Sequence, residues 1–204
     1  MRSHARAGAT IADAGPELWA RLSWESDLWI FAYGSLMWNP GFPYCDAEPA
    51  ILRGHHRSFC VYSTEHRGTP ERPGLVLGLD RGGTCKGVAY CVPAIDVPAA
   101  LSYLCERELK CGVYGLREVE VQLASRRVAA VAFVVNRQHP HYAAGLSLAE
   151  TARLIHEGSG RRGSARAYFD GALDELDRLG AIDGHLHRLA ETMRALGVPE
   201  RRAA

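Results

Sequence analysis

The segment Asp27–Phe42, with the sequence DLWIFAYGSLMWNPGF, joins an apolar strand to a glycine-containing turn. The run Leu28–Ala32 is apolar throughout, which predicts a buried strand, and the chain breaks at Tyr33-Gly34-Ser35. Such a turn directs backbone N–H groups toward one point, and glycine lets a ligand approach that backbone closely. The turn therefore predicts a site for a carboxylate or for an oxyanion formed during a reaction, although many turns of this kind only redirect the chain.

Length, charge and composition limit the classes of protein to consider. The chain has 204 residues, of which 47% are hydrophobic, so we expect one domain with a sizeable core. The formal net charge of +1 predicts neither a nucleic-acid nor a membrane-surface partner. No apolar run approaches the ~20 residues of a membrane span, and the N-terminus lacks the apolar centre of a secretory signal. We expect a cytoplasmic protein with an arm over residues 1–26 and a single domain over residues 27–200, and the oligomeric state is left open.

The six cysteines contain no Cys-x-x-Cys pair, so we expect reduced thiols that mostly serve as small buried side chains. The histidine pairs 55/56, 139/141 and 185/187 have spacings that do not suit a zinc site. We therefore predict no metal ligand in this chain.

The remaining patterns predict a run of strands with one inserted helix, followed by further helices. Strands are expected over residues 51–62, 75–79, 84–92, 116–123 and 128–135, with a hairpin turn at Asp80–Gly83. Helices are expected from Pro98, from Ser147 with Glu150 as a capping box, over residues 164–179, and after Asp183. This order predicts an α+β protein with a closed or strongly curved sheet.

An acidic residue interrupts the apolar face of the first predicted helix. Steps of about 100° per residue from Leu101 place Leu104, Cys105 and Glu108 on one stripe, while Glu106 points to the opposite side. Removing the Glu108 carboxylate from water would raise its pKa, and a raised pKa suits a general base and acid near neutral pH.

Two other interpretations of Glu108 remain open. The carboxylate could form a buried ion pair with Arg57 or another arginine, or the stripe could end one turn earlier and leave Glu108 solvated. Ser35 is a weak nucleophile candidate because it lacks the Gly-x-Ser-x-Gly elbow. The glycine-rich segment GSGRRG, residues 158–163, precedes a helix and suits an anion, but it lacks the Gly-Lys-Ser/Thr of a P-loop. Its other interpretation is a flexible connector.

Four ordered motifs resemble one family, the ChaC-type glutathione-specific γ-glutamylcyclotransferases. They are WIFAYGSLMWNPGF from Trp29, RGTPERPGLVLGLDRGGTCKGVAYCV from Arg67, RELKCGVY over residues 107–114, and GSGRRGSARAYFDGALDELDRLGAIDGHLHRL from Gly158. The resemblance spans nearly everything after Asp27. It implies a small mixed β-barrel with flanking helices, and cleavage of glutathione to 5-oxoproline and cysteinylglycine without a cofactor.

The resemblance also implies the site residues and a small-molecule substrate. The family's catalytic glutamate corresponds to Glu108. The substrate-binding positions correspond to Ala32, Tyr33, Gly34, Ser35, Leu36, Met37 and Tyr168.

Two positions depart from the family pattern, because Ala32 stands where glycine is common and Ala165 where many members carry asparagine. The alternatives are a cyclotransferase for other γ-glutamyl peptides or γ-glutamylamines, and a non-catalytic γ-glutamyl-binding or regulatory protein.

Overall fold

The computed structural model describes residues 26–197. Nearly all of the predicted arm over residues 1–26, and the last three residues of the predicted domain, lie outside this range. Among the described residues, no helix is long and apolar enough to cross a bilayer.

Five strands close into a barrel, which confirms the predicted fold class. The strands are β1 (Leu28–Ala32), β2 (Asp46–Ser63), β3 (Gly74–Val92), β4 (Tyr114–Gln122) and β5 (Arg127–Val135). Their order around the barrel is β1-β3-β2-β4-β5. The closing pair, β1 with β5, is parallel, and the other pairs are antiparallel. Closure leaves no free sheet edge, and it fixes the end of β1, where the candidate turn begins.

The strand β1 is buried on both faces, which explains its unbroken apolar sequence. Phe31 belongs to the cluster shared by the barrel strands and the later helices, whereas Ile30 and Ala32 pack on the other side of the strand with the first helix. A strand covered on both sides has no solvent face, so its polar and apolar residues do not alternate.

The predicted hairpin at Asp80–Gly83 is wrong, because β3 continues through this segment as one strand. The pairing between β2 and β3 shifts register between Arg53 and His55, where Gly54 has φ 80°. On the partner strand, Gly82 and Gly83 have φ values of 97° and 73°. Glycines with positive φ occur both in bulges within a strand ladder and in hairpin turns. The local sequence pattern therefore does not distinguish a bulge from a turn.

Four α-helices pack around the barrel: α1 (Val97–Leu104), α2 (Leu148–Glu157), α3 (Ala165–Arg178) and α4 (Gly184–Ala195). The capping box of Ser147 and Glu150 is confirmed, with the Ser147 side chain accepting from the Glu150 backbone. The Asp183 cap is also confirmed, since its carboxylate accepts from two backbone N–H groups at the start of α4. Asp96 occupies the N-cap position of α1 but makes no side-chain capping bond.

The helix predicted from Pro98 changes its winding before it ends. α1 is followed directly by a π-helical turn over Cys105–Leu109, and Gly112 then takes φ 69°. A π turn is wider than an α turn and is frequent at functional sites. Glu108 lies in this π turn.

Candidate active site

The turn after β1 is a short 3₁₀ helix, Ser35–Met37, held by its own backbone. The N–H of Met37 donates to the Gly34 carbonyl at 2.8 Å, and the N–H of Asn39 donates to the Ser35 carbonyl at 2.9 Å. Neither bond uses the amide of Gly34, Ser35 or Leu36. The Ser35 amide donates instead to the Tyr168 hydroxyl, and the amides of Gly34 and Leu36 are in position to meet a negatively charged group.

Gly34 lies close to Tyr168, a buried residue of α3. A Cβ at Gly34 would lie 3.1 Å from the Tyr168 hydroxyl oxygen. The φ of Gly34 is −128°, so a left-handed backbone is not the reason for glycine here. Burial raises the pKa of the Tyr168 hydroxyl to about 12, and the negative charge of Glu108 acts in the same direction. Tyr168 thus keeps its proton at neutral pH and is a hydrogen-bond donor beside the turn.

A fully buried arginine fixes the start of the turn from inside the barrel. Arg57, on β2, donates through Nε to the Tyr33 carbonyl and through Nη2 to the Lys86 carbonyl and the Met37 sulfur. Its Nη1 lies 2.9 Å from Oδ2 of Asp183, the cap of α4. Arg57 therefore pairs with Asp183, which excludes it as the counter-charge considered for Glu108.

Arg107 is the charged partner of Glu108. Its Nε lies 3.0 Å from Glu108 Oε1, and the Glu108 side chain is 18% exposed. Its Nη2 donates to the Ser35 hydroxyl at 2.9 Å, and its Nη1 donates to the Asn39 carbonyl at 2.7 Å and to the Tyr103 hydroxyl at 2.9 Å. One guanidinium thus ties the carboxylate to the 3₁₀ turn.

Two opposing effects act on the Glu108 carboxyl. Burial raises its pKa above the ordinary value, and the positive charges of Arg107 and Arg162 together with the Arg107 hydrogen bond pull it back in part. The net direction is upward. A carboxyl of this kind is a better proton acceptor than an exposed glutamate, and it can return the proton near neutral pH. The interpretation of a fully solvated Glu108 is therefore wrong.

Glu106 does not point away from the site, which corrects the helical-wheel prediction. It is exposed and lines the same large cleft as Glu108. The prediction used steps of 100° per residue, which describe an α-helix. Residues 105–109 follow the wider π winding, so their side chains point in directions that differ from the predicted ones.

The Glu108 carboxylate lies at the meeting point of two cavities. A small inner pocket of about 30 Å³ is enclosed by the turn and by side chains from β3, β4, β5 and α3. An outer cleft of about 740 Å³ opens from it, and Ser35, Glu108, Tyr114 and Tyr168 line both. The arrangement suits a ligand whose reacting end enters the inner pocket while the rest extends outward.

The chain matches the family model described as ChaC-like protein over residues 28–196. It belongs to the ChaC-like family. The glutathione-specific gamma-glutamylcyclotransferase of Escherichia coli (strain K12) is 36% identical over 173 residues, which cover 84% of this chain and 75% of that protein. Glutathione-specific gamma-glutamylcyclotransferase 1 of Rattus norvegicus is 40% identical over 132 residues, 60% of each chain. The family resemblance inferred from the four motifs is confirmed.

A solved structure shares the fold of this ChaC-like chain. The crystal structure of a glutathione-specific γ-glutamyl cyclotransferase from yeast superposes with a TM-score of 0.78. It is 24% identical in sequence, and the match covers 84% of this chain and 97% of that one.

The predicted substrate loop of the ChaC-like chain divides into residues that line the inner pocket and residues that hold the turn. Tyr33, Gly34, Ser35 and Leu36 line the pocket, as do the predicted Glu108 and Tyr168. Ala32 and Met37 lie instead in the core between the barrel and α1. Ala165 is buried, and its Cβ packs toward Gly74 rather than lining either cavity.

Sequence reasoning missed several residues of the site. Tyr114 lines both cavities and donates its hydroxyl proton to the Leu77 carbonyl at 2.7 Å. Its position in the RELKCGVY motif was the available signal. Arg107 stood in the same motif beside Glu108, but its link to Ser35 depends on the fold.

Three of the six cysteines, Cys60, Cys85 and Cys91, are buried as predicted, whereas Cys105 is half-buried and Cys45 and Cys111 are exposed. Burial raises the pKa of Cys60 to about 12 and of Cys85 to about 11, so these thiols are unreactive. Among the described residues, one group could hold a metal ion, formed by Asp27, Cys45 and Cys91. None of the three lines the cleft or the pocket, and the sequence did not predict them as ligands.

Proposed function

We propose that this ChaC-like protein cleaves the γ-glutamyl bond of glutathione by intramolecular cyclisation, giving 5-oxoproline and cysteinylglycine. The observation that carries the proposal is the partly desolvated Glu108 carboxylate facing the Tyr33–Leu36 turn across a pocket. The names of the E. coli, rat and yeast relatives support the same activity and the same substrate.

The reaction needs positioning more than it needs a protein nucleophile. The α-nitrogen of the γ-glutamyl group attacks its own γ-carbonyl carbon, a new C–N bond closes the five-membered ring, and the C–N bond to the cysteine nitrogen breaks. Ring closure within one molecule is fast when the reacting atoms are held in contact. The inner pocket, walled by Leu36, Leu77 and Phe133, and the adjoining part of the outer cleft are together suited to hold the γ-glutamyl chain folded.

In this mechanism Glu108 transfers the proton. The carboxylate accepts a proton from the α-ammonium group, which frees the lone pair for attack. It then donates that proton to the departing cysteine nitrogen. After attack the ring nitrogen loses its second proton to Glu108, which passes it to the released amine, so the lactam is neutral, the amine leaves as an ammonium and the enzyme returns to its starting state. The raised pKa of Glu108 supports both steps, because neither direction of transfer is strongly unfavourable near neutral pH.

The oxyanion that forms on the γ-carbonyl carbon needs hydrogen-bond donors fixed in advance. The amides of Gly34 and Leu36 are in place for this role because the turn's own bonds use later N–H groups and the Ser35 amide donates to the Tyr168 hydroxyl. The Tyr168 hydroxyl is a further donor for the oxyanion or for the substrate α-carboxylate.

The substrate is tested by measuring 5-oxoproline release from glutathione, γ-Glu-Ala and γ-glutamyl-lysine. The proposal expects release from glutathione in preference to the other two. Preference for γ-glutamyl-lysine or γ-Glu-Ala would favour one of the alternative cyclotransferases. No release from any of the three would favour the binding or regulatory protein.

The role of Glu108 is tested with Glu108→Gln, which keeps the side-chain shape but cannot accept a proton. We expect a loss of about 10²- to 10⁴-fold in kcat with glutathione affinity retained, measured by calorimetry. Glu191→Gln is the matched control, because Glu191 is exposed on α4 and lines neither cavity. Full activity of Glu108→Gln would show that another group is the base.

The cytoplasmic location, the single-domain boundary and the absence of nucleic-acid or membrane partners remain predictions from the sequence. Fractionation of cells that express the tagged full chain would test the first of these.

A further inference from the structure

The outer wall of the cleft carries positive charge that Glu65, which lines the same cleft, neutralises only in part. His66, Arg67 and Arg162 line this wall. Within residues 26–197, neither Arg67 nor Arg162 forms an ion pair. The neighbouring Arg161 does, because its Nη2 lies 2.9 Å from Glu65 Oε2. Two adjacent arginines on one loop therefore differ in whether their charge is already paired.

The backbone of this wall is fixed, although its side chains face the cleft. Arg162 sits between two short strands, β6 (Ser159–Gly160) and β7 (Gly163–Ser164). Its N–H donates to the His66 carbonyl at 2.9 Å, and its carbonyl accepts from Nη1 of Arg67. The Arg67 guanidinium also lies 5.3 Å from the centre of the Tyr168 ring.

Glycines bring the two loops of the wall into backbone contact. A Cβ at Gly158 would lie 2.3 Å from the Gly74 Cα, and one at Gly160 would lie 2.7 Å from the Gly68 carbonyl oxygen. The segment 158–163 is therefore not the flexible connector that one interpretation of its sequence suggested. It presents Arg162 from a packed support.

The electrostatics of the wall agree with an excess of positive charge. Burial lowers the pKa of His66, and the charges of Arg162 and Arg161 lower it further. Glu65 opposes them with a smaller effect, and Arg67 adds the smallest lowering effect. On the opposite side the cleft is lined by Glu106 and by Glu108, whose charge Arg107 partly balances. An anionic group entering the cleft is thus drawn toward the Arg162 side.

The proposed reaction determines which part of glutathione lies in the cleft. Ring closure places the γ-glutamyl end beside Glu108 at the inner pocket, so the cysteinylglycine end extends into the outer cleft. That end carries the glycine carboxylate. Arg107 is not suited to receive it with two parallel hydrogen bonds, because four of its five N–H donors are already bonded to Glu108, Asn39, Tyr103 and Ser35.

We propose that Arg162, assisted by Arg67, binds the terminal carboxylate of the cysteinylglycine leaving group and so selects glutathione over γ-glutamyl compounds that lack this carboxylate. The inference rests on the proposed function and adds a specificity site to it. An arginine fork matches a carboxylate with two parallel hydrogen bonds, which fixes both the position and the orientation of the leaving group.

The test compares glutathione with glutathione amide, in which the glycine carboxylate is a neutral carboxamide. For the native enzyme we expect kcat/KM to be about 10- to 100-fold lower with the amide, mainly through KM. Arg162→Gln should raise KM for glutathione by a similar factor and leave KM for glutathione amide nearly unchanged. Arg162→Lys should restore part of the preference, because it keeps the charge but not the fork.

Arg161→Gln is the matched control, since Arg161 occupies the same loop but pairs with Glu65. It should change kcat/KM for neither glutathione nor glutathione amide by more than about twofold. Equal effects of Arg162→Gln on glutathione and its amide would overturn the inference, because the arginine would then contact a part common to both. Equal turnover of the two substrates by the native enzyme would also overturn it, while the cyclotransferase function would stand. Release of no 5-oxoproline from either substrate would overturn both proposals.

Discussion

Two arginine–carboxylate pairs hold the turn after β1 from opposite sides. They differ in how fully the carboxylate of each pair is bonded to other groups of the protein. In the Arg57–Asp183 pair the arginine is fully buried, and the Asp183 carboxylate also caps α4. In the Arg107–Glu108 pair, Arg107 is Glu108's single ion-pair partner within residues 26–197, and the carboxylate borders a cavity. A carboxylate has about four lone-pair sites, so Glu108 retains capacity to accept a proton. The fully bonded Asp183 forms a rigid anchor with Arg57, whereas the partly bonded Glu108 beside a cavity remains able to react.

The anchoring pair should have the largest effect on stability. Asp183→Ala leaves the buried Arg57 charge without a partner and removes the cap of α4, so we expect a loss of about 3–5 kcal/mol in the free energy of unfolding. Urea denaturation followed by circular dichroism measures it. Asp183→Asn is the control that keeps the cap of α4, and its free energy of unfolding should fall by less than that of Asp183→Ala. A loss below about 1 kcal/mol for Asp183→Ala would mean that carbonyl groups alone satisfy Arg57.

The reactive pair should instead control the pH dependence of activity. In the native enzyme the base form of Glu108 is lost as pH falls through its raised pKa, so kcat/KM should decline on the acid side above the usual range for glutamate. Arg107→Gln removes the main influence that lowers this pKa, so the acid limb should move to higher pH and the activity loss should be several-fold greater at pH 6 than at pH 8.

Ser35→Ala separates the two roles of Arg107. It removes the bond from Arg107 to the turn but leaves the charge beside Glu108. The pH profile of this variant should match the native one even if its kcat is lower. An unshifted acid limb in Arg107→Gln would contradict the electrostatic role of the arginine.

Glu108 should also reduce stability slightly. Because its folded-state pKa lies above the unfolded value, the ionised group opposes folding as pH rises through that pKa, and has no such effect below the unfolded value. Glu108→Gln should therefore be more stable than the native protein at pH 8 by about 1 kcal/mol, or about 2–4 °C in Tm. The difference should shrink toward pH 4. Calorimetric melting with Glu191→Gln as control measures it, and a variant less stable at both pH values would refute the argument.

Features set by local sequence were predictable. The apolar run Leu28–Ala32, the capping box at Ser147 and the Asp183 cap all depend on neighbouring residues, and all were confirmed. The barrel itself followed from the order of strands together with the family resemblance. The stripe from Leu101 located Glu108, although the helix winds differently from the assumed geometry at that point.

Features set by distant contacts were not predictable. Arg57 and Asp183 are 126 positions apart, so no periodicity joins them. The glycines of β3 predicted a turn because their conformation is the same in a turn and in a bulge, and only the partner strand distinguishes the two. The basic wall likewise required two separate loops to meet.

The irregularity at Gly54 determines which side chains of β2 enter the barrel. Before it the buried residues are Ala50 and Leu52, at even positions, and the first buried residues after it are Arg57 and Phe59, at odd positions. Side chains alternate between the faces of a strand, so one added residue reverses that alternation. Deletion of Gly54 would turn the Arg57 guanidinium outward, although no residue that lines the inner pocket would be replaced. The active site therefore depends on the length of this strand as well as on the identity of its residues.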